Sequence, residues 1–220
     1  MNQQNQQMEV ELLTEFIFES EVIMGIPDDK EEIKNHLLSD YGEFKGHVGA
    51  IFYLKQLAED KNHLLTERDV KKVHKLIMKE RLEKWPDLKF NPKAAGKYIE
   101  EIIPSDRFVM IDGRILPPRN VAEEMKALIA EINVWQKFLK FGYVYNLKKL
   151  ADFHYQFGII RPFIDGNGRT GRAINLYLFY FMDKIPFIFD KEDINLYYSS
   201  FFSRDKSLMR QYFLKKARLE

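Results

Sequence analysis

Arg161-Pro-Phe-Ile-Asp-Gly-Asn-Gly-Arg-Thr-Gly-Arg172 is the most informative segment of this sequence. Glycines, arginines, an aspartate and an asparagine follow one another here between two apolar segments with helical spacing. The chain around it has 220 residues, of which 45% are hydrophobic and 30% charged. That composition is typical of a globular protein and excludes a disordered chain, a collagen-like fibre and a membrane bundle.

The residue types in this stretch suit a bound polyphosphate. Gly-Asn-Gly at 166–168 tolerates unusual backbone angles, so consecutive N–H groups can point into one concavity. A helix predicted to begin near Arg169 adds unpaired N–H donors and the positive end of a helix dipole. Arg169 and Arg172 are three residues apart and share a helix face. Asp165 supplies a carboxylate where a divalent ion bridging phosphates would bind.

Three other interpretations of the stretch compete with a phosphate site. Asp-Gly and Asn-Gly are hairpin signals, but Pro162 and the helical period after Arg172 argue against a hairpin. The glycines of 166–171 satisfy G-x-G-x-x-G, yet that fingerprint needs a preceding buried strand, which Arg161 and Pro162 interrupt. The third is an ordinary loop whose arginines are solvated, the commonest environment of charged side chains. A standard P-loop is excluded because the Gly-Lys-Ser/Thr ending is absent.

Working outward, helical spacing of apolar residues dominates the chain. Thr66 and Asp69 have the spacing of a capping box, with aspartate in place of the usual glutamate. Gly25 and Pro27 predict the end of the first helix. The predicted helices cover residues 9–24, 44–58, 66–77, 121–141, 147–157, 169–182 and 193–218.

One segment predicts strands instead. Apolar residues at 108–111 and 114–116 flank Asp112-Gly113, a strong signal for a type I′ hairpin, and two prolines follow. An isolated ribbon buries little of its own surface, so it either packs on helices as a connector or offers an edge to an extended peptide.

Net charge and composition limit the classes of partner that the protein is expected to bind and indicate its cellular location. The net charge of +1 gives no strong field for nucleic acid or an anionic membrane, so neither is expected as a partner. The absence of cysteine excludes disulfides, thiolate catalysis and zinc–thiolate sites. Residues 1–7 lack the features of a secretory signal, and the apolar window 174–182 is shorter than a spanning helix. A cytoplasmic location is expected, and delivery into a host cell is compatible with it.

The stretch resembles the motif of the Fic-domain proteins, H-P-F-x-(D/E)-G-N-G-R-x-x-R. Ala151-Asp-Phe-His154 precedes it as in family members, and the predicted hairpin resembles the family's target-binding flap. The resemblance is specific over about residues 95–200. All fixed positions but the first match: Pro162, Phe163, Asp165, Gly166, Asn167, Gly168, Arg169 and Arg172.

This resemblance implies a mainly α fold, a Fic-type helical bundle with one small β-hairpin flap. Residues 1–60 would form an N-terminal helical region that includes a degenerate inhibitory helix at 9–25, and residues 61–220 the Fic-type core. It also implies that ATP and Mg²⁺ bind and that AMP is transferred to a hydroxyl side chain of a target protein. That protein would dock on the flap at 108–116, and a homo-oligomer is compatible with the sequence. The alternative is a catalytically inactive nucleotide-binding or protein-interaction module.

The resemblance assigns roles to the matched residues. Asp165 would hold Mg²⁺, and the Gly-Asn-Gly segment would form the anion hole around the α- and β-phosphates. Arg169 would support the β-phosphate and Arg172 the γ-phosphate. The related Doc-like kinases have lysine where this chain has Gly168, so Gly168 favours transfer of AMP over transfer of a phosphoryl group.

Arg161 stands where the family has its catalytic histidine. A general base needs a pKa near the working pH, whereas arginine stays protonated and offers no acceptor. Loss of general-base help costs about 10²- to 10⁴-fold, so transfer is expected to be weak or absent. Arg161 fits a degenerate member that only binds nucleotide, an altered phosphate chemistry whose nucleophile needs no base, or a substitution made to disable an enzyme.

The histidines of the chain do not replace the missing base. His154 precedes Arg161 by about two helical turns, roughly 10 Å, and is predicted to be a packing or hydrogen-bonding residue. The remaining histidines show no metal-ligand spacing: His36, His47, His63 and His74.

A second departure concerns regulation. Many Fic proteins carry an inhibitory helix with the pattern (S/T)-x-x-x-E-(G/N), whose glutamate pairs with the second arginine of the motif. Residues 20–25 have this spacing, with Ser20 first and Met24 in the glutamate position. Methionine cannot form the ion pair, so Arg172 is expected to stay free for a γ-phosphate. Glu19 and Glu21 are expected to lie on other faces and to be poor replacements. A plain amphipathic helix explains the pattern equally well.

Overall fold

The structure, a computed structural model, describes residues 3–25, 29–39, 46–84, 91–103, 109–111, 114–116, 120–137 and 142–219. Across these ranges the chain is mainly helical, as the sequence predicts. The helices are α1 (Gln3–Val22), α2 (Lys30–Leu38), α3 (Gly46–Glu59), α4 (Glu67–Lys84), α5 (Val121–Lys137), α6 (Tyr143–Ile160), α7 (Asn167–Phe181), α8 (Ile194–Phe202) and α9 (Lys206–Lys216). Single 3₁₀ turns lie at Pro92–Ala94 and Ile99–Glu101.

Helix α7 lies at the centre of the fold. It packs against α1, α3, α4 and α6, and nearly all its side chains are buried, from Asn167 to Phe181. A helix that buries nearly every side is stable only when neighbours surround it. The first turn of α7 belongs to the glycine- and arginine-rich stretch, so that stretch is held in the middle of the packed helices.

Helix α4 begins with the predicted capping box. The Asp69 carboxylate accepts a hydrogen bond from the Thr66 N–H at 2.9 Å, and the Asp69 N–H donates to the Thr66 hydroxyl at 3.2 Å. Both partners therefore satisfy N–H groups that a helix start leaves unpaired. Aspartate is long enough to replace the usual glutamate here.

Two helix predictions need correction. The single helix expected at 193–218 is two helices, α8 and α9, because Arg204 has a left-handed backbone (φ 54°) and Asp205 caps α9 by accepting from the Ser207 N–H. Helix α2 is not predicted by the apolar spacing. Its Asp29 side chain accepts hydrogen bonds from the N–H groups of Glu31 and Glu32.

The strand prediction concerns residues 108–116. Val109–Ile111 (β1) pairs antiparallel with Arg114–Leu116 (β2), with Met110 opposite Ile115. The predicted type I′ turn at Asp112-Gly113 lies outside the described residues. The use of this ribbon as a flap for a target protein remains a proposal.

Membrane insertion is not expected from the sequence. Among the residues described, none of the helices is both long enough and apolar enough to span a bilayer.

Candidate functional site

The loop between α6 and α7 is closed by its own asparagine. The Asn167 side chain accepts a hydrogen bond from the Phe163 N–H at 2.9 Å and donates one to the Phe163 carbonyl at 2.8 Å. Gly166, the cap residue of α7, has a left-handed backbone with φ 74°. The Asp165 carboxylate accepts from the Gly166 N–H at 2.6 Å. The loop therefore delivers Asp165 and the first turn of α7 to one place.

His74 on α4 supports this loop from behind. Its ring stacks on Phe163, with centroids 3.7 Å apart and planes 1° from parallel. Its Nδ1 accepts from the Gly96 N–H at 2.8 Å, so Nε2 carries the proton and donates to the Asp165 carbonyl at 2.9 Å. Burial lowers the pKa of His74 to about 4, so the ring is neutral. A neutral histidine thus fixes the backbone beside the Asp165 carboxylate.

Arg169 and Arg172 are both buried, each with only 1% of its surface exposed. Two buried guanidinium groups one turn apart rule out an ordinary loop with solvated arginines. The hairpin interpretation is also wrong, since residue 167 begins α7. Buried arginines need partners to offset the cost of their desolvation, and α1 provides several of them.

Ser20 on α1 holds Arg172. The Arg172 Nε donates to the Ser20 hydroxyl at 2.8 Å, and one terminal nitrogen donates to the Ser20 carbonyl at 2.7 Å. The expectation that Arg172 stays free is therefore wrong. The missing glutamate is not required, because a hydroxyl and a backbone carbonyl provide two acceptors. Met24, one turn further on, has its sulfur 3.4 Å from where a Cβ on Gly168 would lie.

Glu21 is the carboxylate that faces the motif, and it pairs with the first arginine. Its Oε2 lies 3.4 Å from an Arg169 nitrogen, and its Oε1 lies 2.8 Å from Nδ1 of His47 on α3. Burial acts to raise the pKa of Glu21, but the hydrogen bond with His47 and the charges of Arg169, His47 and Arg172 lower it to about 2. The expectation that Glu21 faces elsewhere is wrong. It follows Ser20 by about 100° around the helix, which directs it between α3 and α7.

Arg161 ends α6 in a left-handed backbone conformation, with φ 48° and ψ 64°. Such a conformation costs about 1 kcal/mol for a residue with a Cβ atom. The half-buried side chain lines a cavity of about 350 Å³. Burial lowers the pKa of Arg161, while the nearby charge of Asp165 opposes that effect. The position that the motif gives to a histidine is thus filled by a guanidinium at the cavity wall.

The cavity joins the loop to aromatic residues of α8. Its lining includes Asp165, Asn167, Gly168 and Arg172, together with Met24 in the turn that follows α1. The opposite wall consists of aromatic side chains: Tyr197, Tyr198, Phe201 and Phe202. A flat, apolar wall facing a cationic loop suits a ligand with a ring at one end and an anion at the other.

Behind Tyr197 lies His154, buried and hydrogen-bonded as predicted. Its Nδ1 accepts from the Asn175 amide at 2.6 Å, so Nε2–H donates to the Tyr197 hydroxyl at 2.9 Å. Burial and the charge of Arg172 lower the pKa of His154 to about 3. This histidine packs the aromatic wall and does not line the cavity.

Asp165 is the single carboxylate among the described residues of the cavity wall. No cluster of three or more His, Cys, Asp or Glu side chains suited to a metal occurs within the part of the chain that the structure describes. One carboxylate is nevertheless a sufficient protein ligand for Mg²⁺, which keeps several waters and takes its other oxygens from substrate phosphates. The donor set therefore fits Mg²⁺ bound together with a polyphosphate.

Three residues of this site were not found by sequence reasoning: Glu21, His47 and His74. Their partners are 22 to 148 residues away in the chain, and the three residues themselves lie in no recognisable motif. The one available signal is that all three are polar residues within otherwise apolar helix faces.

The comparisons with known proteins agree with this geometry. The sequence model of the Fic/DOC family matches residues 64–179. The protein adenylyltransferase Fic of Culex quinquefasciatus is 24% identical over 175 residues, which are 79% of this chain and 31% of that protein. The Aedes aegypti protein of the same name is 23% identical over the same shares. The chain thus spans about a third of the length of the curated relatives it matches.

Solved structures show the same fold. A Fic domain containing signaling protein from Bacteroides thetaiotaomicron superposes with a TM-score of 0.70 at 18% identity, covering 94% of this chain and 86% of that one. A fragment of Fic-1 from C. elegans superposes with a TM-score of 0.63 at 18% identity, covering 94% of this chain and 60% of that one.

Proposed function

Because this chain belongs to the Fic/DOC family, we propose that it binds ATP in the cavity beside the α6–α7 loop and transfers AMP, weakly, to a hydroxyl of a target protein. One observation carries the proposal: Asp165, the N-terminus of α7 and Arg172 converge at one cavity, and a nitrogen of the buried Arg169 lies 4.0 Å from the Asp165 carboxylate. The opposite wall is aromatic and suits an adenine ring.

Each residue has a distinct task in this proposal. The N–H groups at 166–168 have no carbonyl partner within the helix and would donate to the α- and β-phosphates, the Gly166 N–H after it leaves the Asp165 carboxylate to which it donates. Arg169 would support the β-phosphate and Arg172 the γ-phosphate. Asp165 would hold Mg²⁺, which neutralises phosphate charge when bound. His74 and Asn167 orient the loop that carries these groups.

Transfer to a hydroxyl is weak in this proposal because Arg161 cannot accept the proton of the attacking group. Orientation and charge stabilisation remain, and the loss of the base is expected to cost about 10²- to 10⁴-fold. The test is AMP incorporation from α-labelled ATP with Mg²⁺ in one lysate, comparing the unmodified chain with Arg161→His. We expect much stronger labelling by the histidine variant. Equal or absent labelling by both, with ATP bound, would refute the assignment.

The N-terminal helix is proposed to restrain the site. Ser20 and Glu21 bind the two arginines that the phosphates need, and Met24 lies over Gly168. ATP would therefore have to displace these contacts or bind without the arginines. In this proposal Ser20 and Met24 are regulatory positions, and residues 1–60 act as a unit on the core at 61–220.

The restraint is tested with Glu21→Gln. Loss of the carboxylate charge removes competition for Arg169, and we expect the Kd for ATP to fall several-fold in calorimetric titration. Glu11→Gln is the matched control, since Glu11 is exposed on the same helix. An unchanged Kd in a folded Glu21→Gln chain would contradict a restraint at this position.

The second candidate is a nucleotide-binding or scaffold module without transfer activity. Arg161 and the α1 contacts favour it, and the β1–β2 ribbon would then hold partners. AMP incorporation separates the candidates, because both predict ATP binding. For the ribbon, proline at Ile115 should weaken capture of a target protein without unfolding the domain, and unchanged capture would remove strand pairing from the proposal.

A further inference from the structure

Arg161 changes the charge of the cavity that the proposed function uses. Among the described residues that line it are two guanidinium groups, those of Arg161 and Arg172, and one carboxylate, that of Asp165. The Asp165 carboxylate is partly compensated, since it accepts from the Gly166 N–H and lies 4.0 Å from a nitrogen of Arg169. The cavity wall is therefore net positive at the point where an acceptor would meet the nucleotide.

Apart from the Asp165 carboxylate, which the proposed function assigns to Mg²⁺, the lining offers no proton acceptor suited to neutral pH among the residues that the structure describes there. Tyrosine phenols are protonated at that pH, and burial raises the pKa of Tyr197 further. A relay through Tyr197 to His154 fails as well. With a pKa of about 3, His154 would be protonated in only about one molecule in 10⁴ at pH 7.

A neutral hydroxyl is thus a poor acceptor in this site, whereas an ionised one needs no base. A phosphate monoester or orthophosphate has its second pKa near 6 and is largely a dianion at neutral pH. Its approach to a nucleotide phosphate is opposed by like charge, and a guanidinium is the side chain that binds phosphate by two parallel hydrogen bonds.

We propose that the acceptor matched to this cavity is a phosphate oxyanion, bound by Arg161. The inference rests on the proposed binding of ATP and transfer of AMP. A phosphate oxygen forms a bond to the α-phosphorus of ATP, the bond from that phosphorus to the bridging oxygen breaks, and pyrophosphate leaves with the electron pair. No proton has to be removed. Orthophosphate yields ADP, and a phosphate monoester yields its AMP-linked diphosphate.

The experiment uses radiolabelled orthophosphate with unlabelled ATP and Mg²⁺, and follows label into ADP. A parallel reaction replaces orthophosphate by O-phosphoserine and α-labelled ATP, which distinguishes a free phosphate from an ester as the acceptor. We expect labelled product with at least one acceptor. Arg161→Gln should reduce the amount of product at least tenfold. Arg161→Lys keeps the positive charge but cannot donate two parallel hydrogen bonds, and it should reduce the product less.

Arg218→Gln is the matched control. Arg218 also has a left-handed backbone (φ 56°), is exposed and does not line the cavity, so its loss should leave product formation unchanged. The reactions are repeated in a Ser20→Ala chain, which lacks the hydroxyl that binds Arg172 Nε, so that this contact does not conceal weak transfer. Orthophosphate binding is followed separately as a rise in Tm, which should disappear in Arg161→Gln.

The outcomes separate this inference from the proposed function. ATP binding in calorimetry without product from either acceptor would overturn the oxyanion acceptor and leave the nucleotide site standing. Equal product from Arg161→Gln would remove Arg161 from the reaction. If the unmodified chain does not bind ATP in calorimetry, both the proposed function and the phosphate acceptor are wrong.

Discussion

Gly166 shows how one residue sets the geometry of the site. Its left-handed backbone turns the chain from the loop into α7, and a Cβ there would lie 2.7 Å from the Met78 sulfur and 3.2 Å from the His74 ring. A side chain at residue 166 is therefore disfavoured for two reasons: the left-handed backbone conformation strains a residue with a Cβ atom, and neighbouring atoms occupy the space. His74 depends on this closeness, because it must reach the Asp165 carbonyl.

Gly166→Ala should destabilise the protein by about 2–3 kcal/mol, combining backbone strain with a clash that moves His74. Gly25→Ala is the matched control. Gly25 has a similar φ of 70°, yet a Cβ at this position would have nothing within 4 Å, so only the strain of about 1 kcal/mol applies. Urea unfolding of both variants measures the difference, and equal losses would show that the space around Gly166 is not limiting.

Helix α4 illustrates how an element is fixed by its first turn. The capping box places the start of α4 at residue 67. This start fixes where His74, two turns further along the helix, contacts the α6–α7 loop. The same helix packs against α3 and α7. Fraying of its first turn would therefore disturb the position of His74 in the site as well as the surface of the protein. Local chemistry at Thr66 is thereby connected to the position of Asp165.

Thr66→Ala should lower the free energy of unfolding by about 1 kcal/mol, since the Asp69 N–H loses its side-chain acceptor. Thr66→Ser keeps the hydroxyl and should stay close to the unmodified protein. Thermal unfolding followed by circular dichroism compares the two. Similar losses for alanine and serine would mean that the methyl group, and not the cap, matters at this position.

At the scale of the whole molecule, buried ionisable groups couple stability to pH. The pKa of His154 is lowered to about 3 by burial and by the charge of Arg172, against a usual value of 6.5. Its contribution to stability is complete above pH 6.5 and is lost as the pH falls towards 3, because the unfolded chain takes up the proton first. The contribution of Glu21, whose pKa is about 2, is lost only below pH 4.5.

The unfolding free energy should therefore decrease with falling pH between 6.5 and 4.5, with His154 contributing up to about 1.4 kcal/mol per pH unit. His154→Asn should reduce this slope, whatever its effect on stability at pH 7, and the remaining slope is expected from His74, whose pKa burial lowers to about 4. Asn35→Gln, an exposed change that involves no titratable group, should leave it unchanged. Urea unfolding at half-unit pH steps gives the slopes, and an unaltered slope in His154→Asn would exclude this histidine as the source.

The mainly helical fold, the start of α4 and the loop between α6 and α7 could be predicted from the sequence alone. These depend on neighbours within a few residues: apolar spacing, a capping pair, and glycines beside a helix start. The break between α8 and α9 and the existence of α2 are equally local, but their caps at Asp205 and Asp29 are single residues, which apolar spacing does not reveal.

The contacts of Arg169 and Arg172 follow from the packing of the helices and could not be predicted from the sequence. Whether Arg172 meets Ser20, and Arg169 meets Glu21, depends on how α1 packs on α7 across about 150 residues of chain. The same holds for His74, which reaches a loop 91 residues away. The spacing of the motif residues determines which side chains share a helix face. The element that packs against that face is determined by the packing of the whole core, which a short segment of sequence cannot predict.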